Sequence, residues 1–173
     1  MIVDGGLTIL GNSGAATRRV LRITEGVEFA MTTDQMRLVQ ESFAQVAPIA
    51  ETAAALFYGR LFELDPQLRH LFRGDMRDQG RKLMQTLAVA VRALGELDAL
   101  VPAVQALGRR HAGYGVTSAH YATVAAALLW TLEQGLGTAF TADVREAWVE
   151  VYGVLANTMQ QASDEAQLSV AKH

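Results

Sequence analysis

The chain has no cysteine in its 173 residues, which removes disulfides, thiolate zinc sites, iron–sulfur ligation and thiol nucleophiles together. Any metal must be met by histidine or oxygen. Histidine is itself scarce: four residues, at 70, 111, 120 and 173, with no H-x-x-x-H spacing and no carboxylate at zinc-site spacing. That argues against zinc enzymology. Charge of one sign is also lacking. The 15 basic and 18 acidic side chains leave a net charge of -3, so no global field draws the chain to nucleic acid or anionic lipid. No run approaches the roughly 20 apolar residues of a membrane helix. Residues 1–30 lack the basic start and apolar run of a secretory leader. These absences predict a soluble, cytoplasmic protein with no nucleic-acid or membrane partner.

Half of the residues are apolar and 19% are charged, the balance of a compact fold, and the length suits one domain. Composition changes near Met31. Before it stand Gly5, Gly6, Gly11, Gly14 and Gly26 with short β-branched pieces at 8–9 and 20–23, so residues 1–30 read as an N-terminal extension, loose or extended. An upstream extension or a misassigned start, with Met31 as initiator, is one reading; a docking tail is the other. Residues 6–13 have phosphate-loop glycine spacing, but Asn12 occupies the lysine position. Without that lysine the glycines read as flexibility.

From Thr32 onward the period is helical. Thr32 and Gln35 have capping-box spacing ahead of Met36, Val39, Phe43 and Val46 on one face. Pro48 suits the first turn of a second helix, with Phe57, Tyr58, Leu61 and Phe62 repeating at three and four. Asp65 and Pro66 cap a short turn that ends at Leu71 and Phe72. A longer helix carries Gln79, Lys82, Leu83, Thr86, Leu87 and Ala90 and stops near Gly95, and Pro102 begins the next. That fifth helix aligns Val104, Leu107 and His111 before Gly113 and Gly115. Ser118 and Thr141 are expected to cap the last two. The prediction is an all-α fold of six to eight helices in a domain over 31–163, with a tail at 164–173.

Taken singly, His111 is a satisfied histidine, Tyr58 a core tyrosine and Gln79 an exposed amide. By the same default Phe57, Phe62, Phe72 and Trp148 are core, and Lys82, Arg109 and Arg110 a solvated face. Their order and spacing say more. LFYGRLF at 56–62, Asp65-Pro66 running to Leu71-Phe72, QGRKLM at 79–84, LGRRH at 107–111 and the stretch from 139 to 153 together resemble the globin family. The likeness is greatest to bacterial single-domain haemoglobins, the globin part of flavohaemoglobins and, in the last third, neuroglobins.

The resemblance implies a globin fold enclosing haem b, with His111 as proximal iron ligand and Leu107 supporting the porphyrin. It implies Phe72 as the aromatic stacked at the corner, and Tyr58, Gln79 and Leu83 as the distal group. Tyr121 and Val116 fall in the proximal pocket, and Lys82 and Arg110 face the propionates. The implied ligand is a diatomic gas: dioxygen, nitric oxide or carbon monoxide. Reversible binding by a monomer or weak homodimer is one function implied; nitric oxide dioxygenation with an external reductase is the other. No reductase segment is expected, so any redox cycle is expected to draw on an external reductant. Where flavohaemoglobins place a proximal glutamate it has Ser163, with Asp164 and Glu165 out of register, so peroxidase-like activation is not expected.

Overall fold

The computed structural model describes residues 18–24 and 27–170. The glycine-spaced stretch 6–13, the extended piece at 8–9 and His173 lie outside the described residues. Within the N-terminal extension, β1 (Arg18–Thr24) and β2 (Val27–Thr32) pair antiparallel, with a register irregularity between Arg22 and Thr24. This hairpin gives residues 20–23 the extended form their β-branched content favours. β2 packs on α1 (Thr33–Val46) and α6 (Ala142–Val170), and β1 on α4 (Leu97–Gly113).

Six α-helices make up the rest of the described residues: α1; α2 (Ala50–Leu64); α3 (Met76–Arg92); α4; α5 (Ser118–Leu136); and α6, with short 3₁₀ turns between them. Thr32 and Gln35 form the expected capping box at the start of α1. Pro48 lies in the 3₁₀ turn Ala47–Ile49 that leads into α2. Asp65 accepts from the Gln67 N–H to cap the turn Pro66–Leu71. Two starts differ from the sequence reading. α4 begins at Leu97, so Pro102 is inside the helix, where its ring removes a backbone bond without ending the element. The cap of α5 is Thr117, whose N–H donates to His120 Nδ1 at 3.1 Å, and Ser118 is the first helical residue. α6 continues to Val170, so residues 164–170 prolong it.

One core joins these helices through Val39, Phe57, Leu61, Leu94, Leu128, Ala147 and Trp148. Its polar element is satisfied: Trp148 Nε1–H donates to Ser42 Oγ at 2.9 Å, and that hydroxyl donates to Leu38 O at 2.6 Å. Two glycines set helix distances. A Cβ on Gly80 would lie 2.8 Å from Ala54 Cβ, so α3 crosses α2 closely; one on Gly108 would lie 2.3 Å from Met159 O, so α4 rests on the backbone of α6.

Candidate functional site

α4 presents Leu107 and His111 one turn apart on one face. His111 is half-buried, and its Nδ1 lies 2.9 Å from the Leu107 carbonyl oxygen. A carbonyl only accepts, so this contact places a hydrogen on Nδ1 and leaves Nε2 outside it. In the neutral imidazole that arrangement puts the free lone pair on Nε2, the atom able to meet a metal. Beyond it the chain turns back: the N–H groups of Tyr114 and Val116 both donate to His111 O, at 3.0 and 3.3 Å, and Gly115 takes φ +78° to permit the turn.

Tyr121, on α5, stacks beside His111 with ring centroids 6.4 Å apart. Its carbonyl accepts from the Tyr152 hydroxyl at 2.7 Å, while its own buried hydroxyl has no partner among the described residues. An unpaired buried hydroxyl costs on the order of 1–3 kcal/mol, which marks the surroundings of His111 as short of a polar group. Burial pushes the Tyr121 phenol up, and the charge of Asp164 raises it further. Burial likewise raises Tyr152, with a smaller contribution from Tyr121. Ser163 is buried.

A second cluster forms around α2. Tyr58 meets Phe72 edge-on at 5.2 Å and stacks on Phe62 at 6.0 Å, and Phe62 meets Phe72 at 5.6 Å. Sequence alone assigned Phe62 to the core; it is half-buried and belongs to this aromatic group. The Tyr58 hydroxyl donates to the backbone carbonyl of Gln79 at a long 3.4 Å, and burial holds its pKa up at about 12. It therefore stays a neutral donor. The Gln79 amide is turned to the corner, where Nε2 donates to Arg73 O at 3.0 Å. Leu83 is half-buried and lines an apolar cavity of about 20 Å³ with Phe57, Leu87, Leu128 and Trp148. Lys82 and Arg110 are exposed, with no ion pair among the described residues.

Among the described residues no three His, Asp or Glu side chains gather to hold a bare ion. A lone imidazole of fixed tautomer, beside apolar and aromatic side chains, fits a metal that brings its remaining ligands in a macrocycle. Comparison with known proteins decides the family. The globin family model matches residues 55–159, more than half of the chain. The chain belongs to the globin family. As a globin it binds haem and, through haem, a diatomic gas.

Among its relatives, the neuroglobin of Tetraodon nigroviridis is 30% identical over 145 residues, spanning 76% of this globin and 91% of that one. The neuroglobin of Chaenocephalus aceratus is 31% identical over 138 residues, spanning 72% and 87%. Among solved structures this globin is similar to an engineered carbene transferase from Rhodothermus marinus, a protein assigned as a nitric oxide dioxygenase. The TM-score is 0.74 at 26% identity, covering 82% of this chain and 99% of that one. The globin fold anticipated from the sequence is therefore present, and no helix among the described residues is long and apolar enough to cross a membrane.

Proposed function

We propose that this globin holds haem b through His111 and binds dioxygen or another diatomic gas reversibly. The observation that carries this reading is the Nδ1 contact to Leu107 O, which leaves Nε2 as an available donor atom. Haem, when bound, would supply an iron able to take a diatomic gas. The chain's own residues orient and shield. Leu107 fixes the imidazole ring, and Phe72, Phe62 and Leu83 supply apolar contact for the porphyrin and keep water out. Lys82 and Arg110, both exposed, are available to the propionates. Tyr58 and Gln79 have one N–H or O–H each that can turn from its backbone acceptor to a ligand drawing negative charge. His111→Ala is expected to leave the purified protein without the Soret band of the parent; a full, gas-responsive spectrum in that variant would remove His111 from the role.

A second reading shares the site and is favoured by the structural likeness to a protein assigned as a nitric oxide dioxygenase. In it nitric oxide and dioxygen combine with one electron to give nitrate, the electron coming from a separate reductase. Tyr58 and Gln79 orient the dioxygen. Sustained nitrate formation beyond one equivalent, with a reductase present, distinguishes it from stoichiometric consumption.

A further inference from the structure

The helix that bears His111 is seated on α6 at Gly108, three residues before the imidazole. A Cβ there would lie 2.3 Å from Met159 O, 2.6 Å from its Cα and 2.8 Å from its carbonyl carbon. All three are backbone atoms in the middle of α6, so no side chain can swing aside. Ordinary van der Waals separation is about 3.5 Å, and α4 would have to retreat by about 1 Å to admit even a methyl group. α4 and α6 form the most extensive helix pair of the fold. Gly108 adjoins Leu107, whose carbonyl holds His111 Nδ1.

We infer that Gly108 is a positioning residue: by letting α4 lie against the α6 backbone it sets where the His111 imidazole stands. Glycine is among the poorest helix formers, and here the close approach supplies the reason for it. The inference rests on His111 being the iron ligand. It adds that the place of that ligand is set from α6, through a residue seated on the Met159 backbone.

The test compares ferrous holoprotein by resonance Raman spectroscopy. The parent is expected to show an iron–imidazole stretching band, and Gly108→Ala to move it to lower frequency with haem loss about tenfold faster. Val39→Ala, fully buried in α1, supplies a variant weakened elsewhere, and its band should stay in place. In a His111→Gly background with free imidazole supplied as ligand, the link to α4 is cut, and Gly108→Ala should then leave the band unmoved. A fixed band in the first comparison, or an equal shift with free imidazole, would overturn the proposal. Should Gly108→Ala not fold, Val104→Leu enlarges the same buried face of α4 one turn earlier: a displaced band supports the positioning role and an unmoved one refutes it. A parent band that survives His111→Gly without imidazole refutes the ligand assignment itself, a separate failure.

Discussion

Tyr58 sits in a ring of aromatic side chains with one long hydrogen bond, at 3.4 Å, for its hydroxyl. Such a donor is held in place yet costs little to redirect. A hydrogen bond to a charged acceptor is worth about 1.5–3 kcal/mol, equivalent to roughly 10- to 150-fold in a dissociation rate. Tyr58→Phe keeps the ring packing and is expected to speed dioxygen release within that range, measured by stopped-flow displacement; an unchanged rate would take the hydroxyl out of ligand binding. Single residues were unevenly legible in the sequence. Tyr58 and His111 stand on apolar stripes, so their burial follows from helical period. The direction of the Gln79 amide, toward Arg73 O, depends on how residues 73–75 turn, and no spacing rule encodes that. Nor did period reveal the unpaired Tyr121 hydroxyl, because α5 and α6 had first to be brought together.

Helix ends follow local chemistry, and most could be read in advance. Thr32 with Gln35, Asp65 with Pro66, and Thr141, whose Oγ1 accepts from Val144 N at 3.3 Å, all cap where the spacing says they should. Pro102 misleads because α4 gains enough from lying on α6 to carry a proline within it, and tertiary packing overrides propensity. Crossing distances are less legible, since a glycine in a helical pattern gives no hint of what it meets. The α2–α3 crossing offers a test. Gly80→Val would force a branched side chain against Ala54, whose Cβ is already 2.8 Å from the position of a new Cβ. A loss of about 1–3 kcal/mol in denaturant unfolding is expected. Pairing it with Ala54→Gly should recover part of that loss, and no recovery would place the clash elsewhere.

Across the molecule, the phenols of Tyr58, Tyr121 and Tyr152 share one sign of shift: Tyr58 to about 12, and Tyr121 and Tyr152 also upward. An unfolded tyrosine ionises near 10. Above that pH the unfolded chain loses protons that the folded chain retains, so stability is intact below about pH 10 and declines as pH climbs toward the folded value of Tyr58, about 12. Thermal midpoints measured from pH 8 to 12 should fall more steeply in the parent than in Tyr58→Phe; coincident slopes would refute this contribution. The fold class was open to inference from the sequence because helical period, caps and globin-like spacing agreed. Pairing within residues 18–32 was less so, since those strands gain their place from α1, α4 and α6.

Thr32 ends β2 and also caps α1, with its N–H and hydroxyl both engaged by the Gln35 side chain. Ribbon and bundle thus share a residue where a spacer is commonly found, and Met31 just before it is locked into the interior at 2% exposure. The ribbon itself therefore has a fixed bearing on the bundle, and a pull applied to β2 passes into α1 with no slack between them.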